Sequence, residues 1–345
     1  MTESGTPPAA TSRRLTPSAI VRQLDQYVIG QDEAKRVLAV IVYAHYRKLA
    51  RSTGEVEITK SNVLLIGPTG TGKTLLCETL SRTLKVPFVT VDATSLAQSR
   101  DLRDELDAVL QRLIERAGGD LARAQSGIVF IDEVDKLKAS EHTVQHHSGE
   151  SVQHALLKVM EGVPVKLADG RVIDTTQILF ICGGTFVGLE KITANSHAFG
   201  FVATTGNENQ KILDRLNARI KPTDLFDYGL IPEFAGRLPV IANFQPLSKP
   251  LLVRIMTEPR NSIYSQFREM LRHEGVELHI EPRVFEQIAE LAAEYRVGAR
   301  GLRGIFEEMI SPVLYALPDL PGVRQVRIRS LFEDAVLISD PASAP

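Results

Sequence analysis

The sequence predicts an α/β protein: a parallel sheet covered by helices on both faces, followed by a smaller, mainly helical α+β domain. Three observations predict it. Apolar runs of strand length alternate with stretches of helical period as far as residue 244, the pattern of strands joined by crossover helices. A glycine-rich octapeptide, GPTGTGKT (67–74), joins one such run to the helix after it. Beyond QPLSKP (245–250) long helical stretches take over and the strands become short. A chain of 345 residues suits two domains. The pattern gives them bounds: a leader over 1–16, a large domain over 17–246 and a small domain over 247–340.

Each element has its own signal. Residues 17–50 are helical with a break at YVIGQ (27–31), and apolar residues recur from Ala34 through Leu38 and Ile41 to Leu49. NVLLIG (62–67) is a short buried strand ending in glycine, and KTLLCETLSRTL (73–84) carries a helical stripe. PFVTVDA (87–93) reads as a strand, 101–116 as a helix, GIVFIDE (127–133) as a strand, 149–161 as a helix and TQILFICGG (176–184) as a strand. A loop-rich stretch over 185–230 precedes a last strand at RLPVIANF (237–244). The small domain offers helices near 250–273, 283–295 and 299–315, with strands near 276–280, 324–328 and 334–338.

Composition narrows the function classes. Hydrophobic residues make up 43% and charged residues 24%, ordinary for a globular protein. The net charge of −2 argues against a nucleic-acid binder, which needs a basic footprint. Cys77 and Cys182 lie far apart without a CxxC pair, which points to a reducing compartment and no structural disulfide. No apolar run approaches the roughly 18 residues of a membrane span. The N-terminus lacks an apolar secretion signal, and its Pro, Ser, Thr and Ala content reads as a disordered leader. The cytoplasm is the expected location.

The octapeptide matches G-x-x-x-x-G-K-[ST] between a strand and a helix. Backbone N–H groups of Gly67, Pro68, Thr69, Gly70, Thr71 and Gly72 (the proline excepted) would close around phosphates at a helix N-terminus, with Leu75 just inside that helix. Lys73 would meet the β- and γ-phosphates and the Thr74 hydroxyl would hold Mg²⁺. IVFIDE (128–133) ends a buried strand in two acids. Asp132 would hold the metal, and Glu133 would orient or deprotonate the attacking water. Together they predict a Mg-dependent ATPase.

Several blocks then combine: LDQYVIGQDEAKRVLAVIVYAHYRKL, LLIGPTGTGKT, GIVFIDEVDKL, SGESVQHALLKVMEG, ILFICGG, YGLIPEFAGRLPV and GARGLR. Over about residues 20–315 they resemble the ClpX family, the AAA+ unfoldase subunits of Clp proteases. The resemblance implies an AAA+ P-loop domain with its small C-terminal domain, and a hexameric ring with ATP at the subunit boundaries. It implies protein substrates and a ClpP-type peptidase partner, with no nucleic acid and no membrane. It assigns Val28 and Ile29 to the adenine, Arg237 to an arginine finger reaching the neighbouring subunit's γ-phosphate, Arg300 to a nucleotide sensor in the small domain, and Thr185 to a second, polar sensor.

Departures from the family pattern concern the substrate. The family's Gly-Tyr-Val-Gly pore tetrapeptide corresponds here to Arg100-Asp101-Leu102-Arg103, without the glycines or the ring. Asp101 can cap a helix, Asp104 and Glu105 suit its first turn, and Leu102, Leu106, Val109, Leu110 and Leu113 form one stripe. The helix reading is favoured; the other keeps Arg100 and Arg103 as a basic pore ring. The pore-entrance loop is shortened to VPVKLADGRVID (163–174), and with no cysteine cluster in this sequence the family's zinc module is expected to be missing. HTVQHHSGESVQH (142–154), with His142, His146, His147 and His154, falls at the second pore loop, with Ser148 and Gly149 as pore candidates; it lacks HExxH and any cysteine, so a channel-facing loop is favoured over a metal site. Phe199-Gly200-Phe201 is similar to the tripeptide that docks ClpX on its peptidase, with burial in the chain's own core as the alternative. An ATP-driven unfoldase is the first expectation, and a nucleotide-cycling regulatory subunit the second.

Overall fold

A computed structural model describes residues 16–49, 60–138, 148–198, 220–320 and 322–339. The chain divides into two compact units. One holds residues up to Val21, Glu33–Pro68 and Lys73–Phe244; the other holds Arg22–Asp32, Thr69–Gly72 and Gln245 onward. The division is not a single cut: the YVIGQ segment and the middle of the glycine-rich loop cluster with the C-terminal part.

The first unit is built on a five-stranded parallel sheet in the order β2-β3-β6-β1-β7. Its strands are β1 (Val63–Ile66), β2 (Phe88–Asp92), β3 (Ile128–Asp132), β6 (Leu179–Gly184) and β7 (Val240–Asn243). All four residues of β1 and all six of β6 are buried, as a parallel sheet covered on both faces requires. The edge strands β2 and β7 are only partly buried. Around the sheet lie α1 (Pro17–Leu24), α2 (Asp32–Leu49), α3 (Lys73–Leu84), α4 (Ala93–Gln98), α5 (Leu102–Arg116), α6 (Leu121–Gln125), α7 (Gly149–Glu161), α8 (Leu189–Ala198), α9 (Pro222–Tyr228) and α10 (Pro232–Gly236). The α1 helix crosses the unit boundary at Val21.

Several segments differ from the sequence reading. The stretch over 185–230, expected to be loop, holds α8 and α9, with α10 just beyond. The α9 and α10 helices have too few residues for a periodic stripe. Their signal is instead a proline at the first turn, and for α9 an Asp224 carboxylate that accepts from Lys221 N at 2.8 Å. The short α4, also unforeseen, is capped by Asp92, which accepts from Thr94 N at 2.7 Å. Finally, VPVKLADGRVID folds as an antiparallel hairpin of β4 (Pro164–Lys166) and β5 (Val172–Asp174). Its tip is fastened by Arg171 bonding both Asp169 carboxylate oxygens.

The segment that corresponds to the pore tetrapeptide is a helix start. Asp101 is the N-cap of α5 and accepts from Arg103 N at 2.8 Å and Asp104 N at 3.3 Å. Leu102 is buried in the same cluster as Val109, Leu110 and Leu113. Its side chain therefore belongs to the core, which corrects its place among the pore candidates; Arg100 and Arg103 are exposed. Phe199, Gly200, Phe201, His142, His146 and His147 lie outside the described residues, as does the leader before Thr16.

The second unit carries a three-stranded sheet, β10-β9-β8 (β8 Glu277–Ile280, β9 Val323–Ile328, β10 Val336–Ser339), with β8 parallel and β10 antiparallel to β9. The helix expected over 250–273 is two, α11 (Lys249–Thr257) and α12 (Ile263–His273). Pro259 lies in the break, and Ser262 caps the second helix by accepting from Ser265 N at 3.1 Å. They pack with α13 (Pro282–Glu294) and α14 (Gly298–Ala316) around Leu252, Met256, Phe267, Phe285 and Phe306. Among the described residues no helix is long and apolar enough to cross a membrane.

One core contact is sensitive to pH. His45, buried on α2, lies 3.0 Å through Nε2 from the carbonyl of Gln177, in the turn that leads into β6, and its ring meets Tyr46 edge-on. Burial lowers its pKa from 6.5 to about 4. The unfolded chain then binds a proton that the folded chain does not, so this contribution is present above pH 6.5 and is lost as pH falls toward 4. His45→Phe removes up to about 1.4 kcal/mol per pH unit from that slope. Denaturant midpoints of parent and variant between pH 7 and pH 4.5 check it; parallel curves would refute it.

Candidate functional site

The site begins where β1 ends. Gly67 N donates to Gly184 O at 3.2 Å and Phe244 N donates to Ile66 O at 2.7 Å, so three neighbouring strand ends converge there. A Cβ on Gly67 would lie 2.6 Å from both the Cβ and the carbonyl oxygen of Phe244. Only glycine lets the chain leave the strand at that point.

Lys73 and Thr74 open α3, whose first N–H groups have no partner within the helix and form an anion-binding end. The Lys73 ammonium is buried and donates to Gly67 O at 2.6 Å and Pro68 O at 3.1 Å, which keeps it curled over the start of the loop. The Thr74 hydroxyl donates to Asp132 Oδ2 at 3.1 Å, across to the end of β3. A hydroxyl beside a carboxylate is a hard-oxygen set of the kind Mg²⁺ takes. Leu75, one residue further on, is exposed.

Glu133 stands at the C-terminal edge of β3 in the left-handed region, at φ 58° and ψ 32°, an uncommon conformation for a non-glycine residue. Its N–H donates to Asp132 Oδ1 at 2.9 Å. Partial burial, followed by the neighbouring charges of Asp92, Asp132 and Asp135, pushes its pKa above the ordinary glutamate value, with Lys136 opposing. A carboxylate tuned upward holds a proton better, as a general base needs.

Two supporting acids escaped the sequence reading. Asp92 ends β2 directly beside Asp132 in register. Asp135, two residues beyond Glu133, is buried and accepts from Thr185 N at 3.2 Å and Phe186 N at 3.3 Å. The candidate sensor Thr185 is thereby hung on the acidic turn. Glycines allow it: a Cβ on Gly184 would meet Asp135 Oδ1 at 2.6 Å, and one on Gly183 would meet the Phe130 ring at 2.7 Å. The repeat of acids in IDEVD was the available signal.

In the second unit, the Thr69–Gly72 turn meets the start of α14. Ala299 N donates to Gly70 O at 3.3 Å, and Arg300, next in sequence, is exposed in that first turn. Gln31 was also missed. Buried and at positive φ, it accepts from Gln245 N at 2.8 Å, donates to Gln245 O at 2.9 Å and reaches Thr71 O at 3.5 Å. Val28 is buried and Ile29 half-buried just before it.

Arg237 lies at the other edge. It follows α10, and its carbonyl accepts from Asn62 Nδ2 at 3.2 Å, immediately before β1. The β1 and β7 strands are parallel, Val63 opposite Val240. At about 3.3 Å per residue, Asn62 is roughly 16 Å along the strand from Gly67. Arg237 is therefore beyond side-chain reach of its own chain's Gly67 and Lys73. Ser148 caps α7, accepting from Ser151 N at 3.1 Å, with Gly149 starting that helix and a Cβ there 2.2 Å from Leu137 O. Substituting Asp135 by Ala strips one buried and one part-buried N–H group of their acceptor and should cost about 2 kcal/mol or more. Denaturant unfolding measures it, and a loss under about 0.5 kcal/mol would refute the anchoring role.

The comparisons with known proteins agree with this geometry. Residues 58–241 match the AAA domain (Cdc48 subfamily), and residues 247–318 match the C-terminal D2-small domain of ClpB protein. The ATP-dependent Clp protease ATP-binding subunit ClpX 3 of Methylococcus capsulatus is 45% identical over 339 residues, covering 90% of this chain and 78% of that protein. The ClpX subunits of Bacteroides thetaiotaomicron and Treponema denticola are 44% and 41% identical, over 88% and 91% of this chain and 77% and 80% of theirs. With the sheet, the glycine-rich loop and the paired acids in place, the chain belongs to the ClpX family of AAA ATPases.

Proposed function

We propose that this chain is an ATP-dependent protein unfoldase that works as a hexameric ring, hydrolyses ATP with Mg²⁺ and delivers proteins to a ClpP-type peptidase in the cytoplasm. The observation that carries the ring is the position of Arg237 at the sheet edge opposite the phosphate loop. An arginine that cannot reach its own chain's loop can complete a neighbour's.

The roles follow from the chemistry. Gly67 and Pro68, with Thr69–Gly72, wrap the phosphates, and Lys73 leaves its carbonyl partners for phosphate oxygens. Thr74 and Asp132 would hold Mg²⁺, which would neutralise charge on the phosphates. Glu133 takes the proton of the attacking water. Val28 and Ile29 receive the adenine and Arg300 reads the nucleotide from the small domain. Arg237, arriving from the next subunit, stabilises the transition state, an effect on the order of 10³–10⁵ in rate for fingers of this kind.

The buried Leu102 favours a second reading, a nucleotide-cycling regulatory subunit that does not pull on substrates. The α5 start offers the charged Arg100, Asp101 and Arg103 to a translocating chain, a weaker grip than an aromatic wedge.

Two experiments test the finger in trans and the choice between these readings. Glu133→Gln and Arg237→Ala should each bind ATP and fail to hydrolyse it. Mixed together they should regain turnover, with roughly one site in four joining an intact Glu133 to a neighbour's Arg237 in a head-to-tail ring. No recovery on mixing, with rings assembled, would refute the finger in trans. Unfolding of a tagged fluorescent reporter, followed beside ATPase rate, should be ATP-dependent; hydrolysis without unfolding across several reporters would support the regulatory reading.

A further inference from the structure

The described part of the first unit ties Arg237 down twice. Its carbonyl accepts from the buried Asn62, and its guanidinium donates through Nη2 to Glu161 Oε1 at 2.7 Å. Glu161 is the last residue of α7. The sequence reading gave it no role.

The α7 helix that delivers this carboxylate is itself fixed to the catalytic acids. Gln153, fully buried at its middle, donates to Leu137 O at 2.8 Å and accepts from Ile231 N at 2.8 Å. Leu137 closes the turn that follows Glu133, and Ile231 immediately precedes α10, the helix that ends at Arg237. Gly149, at the start of α7, lies against the same Leu137 backbone. Gly162, just after Glu161, stands at φ +93° with Thr176 Cα 2.9 Å from where a Cβ would be, so the C-terminal end of the helix is also fixed. One helix thus joins the acid end of β3 to the arginine at the opposite edge.

We propose that Glu161 is a positioning residue for Arg237: it holds the guanidinium in one direction off the N-terminal edge of the sheet, ready for the neighbouring subunit's phosphate. The inference rests on the reading of Arg237 as a finger in trans. A guanidinium carries five N–H donors, and the bond to Glu161 uses one. The remainder can meet phosphate oxygens while the carboxylate keeps its hold. Without Glu161 a long, half-exposed side chain samples many rotamers, and the ordering that the carboxylate supplies in advance must be found at each turnover. Because both side chains of the pair are half-exposed, solvent screens the bond and it adds little to fold stability. Its effect should be on turnover.

The test uses the full chain with Mg²⁺ and ATP, and compares Glu161→Ala, Glu161→Gln, Arg237→Ala and the double variant Glu161→Ala/Arg237→Ala. Glu161→Ala should lower kcat roughly three- to tenfold, with KM for ATP and ring assembly changed less than about twofold. Glu161→Gln, which keeps an acceptor oxygen in the same place, should recover most of that loss. The double variant should be no slower than Arg237→Ala alone, because Glu161 acts only through the arginine. An unchanged or raised kcat in Glu161→Ala, with Arg237→Ala inactive, overturns the positioning role and leaves the finger standing. A Glu161→Ala defect confined to KM or to assembly assigns it a structural role and also overturns the proposal. Normal turnover in Arg237→Ala removes the finger and the positioning role together.

Discussion

Every functional feature of this chain depends on the direction of its strands. The β2, β3, β6, β1 and β7 strands run parallel, so the first unit has one edge at which chains leave the sheet and one at which they enter. Loops at the exit edge are brought together by strand pairing alone: Gly67 after β1, Asp132 and Glu133 at the end of β3, Gly184 and Thr185 at the end of β6. Ligands of open parallel sheets gather at that edge for this reason. The same polarity puts Arg237, which precedes β7, at the entry edge. If Arg237 acts as the proposed finger, its place on that side means that it would serve another copy of the chain.

Close packing at the exit edge is achieved by glycines facing aromatic and charged residues. Gly67 admits Phe244, and Gly183 and Gly184 admit the Phe130 ring and the carboxylate of Asp135. The result is four acids, Asp92, Asp132, Glu133 and Asp135, in a few strand positions. Partial burial, and then repulsion by the neighbouring acids, raise the Glu133 pKa, while hydrogen bonds anchor the other three: Thr94 on Asp92, Thr74 and the Glu133 N–H on Asp132, and the Thr185 and Phe186 N–H groups on Asp135. Such a concentration of negative charge suits the Mg²⁺ proposed for the site. The left-handed Glu133 is the strained member, held by the bond of its own N–H to Asp132.

Between the edges, α7 does what no strand can. Its buried Gln153 bonds both to the turn after Glu133 and to the segment before α10, and its last residue meets Arg237. A buried amide with both ends satisfied is costly to displace, so the helix and its two neighbours hold a definite spacing. The second unit has its own junction, where Gln31 brackets Gln245 and reaches the Thr69–Gly72 turn.

The sequence by itself determined the strands of the large sheet, the phosphate loop and the acids after β3, because apolar period and glycine spacing are local signals that need no tertiary partner. It also contained the cap at Asp101 and the stripe through Leu102, enough to favour a helix over a pore loop. It was silent on α9 and α10, whose handful of residues carry no period, and it ran α11 and α12 together across Pro259. Only the tertiary structure decided which distant residues meet: Asp135 with Thr185, Gln153 with Leu137 and Ile231, Arg237 with Asn62 and Glu161. Those pairs are separated by 16 to 175 positions and follow from strand order and helix crossing, and no local pattern in a single chain records them.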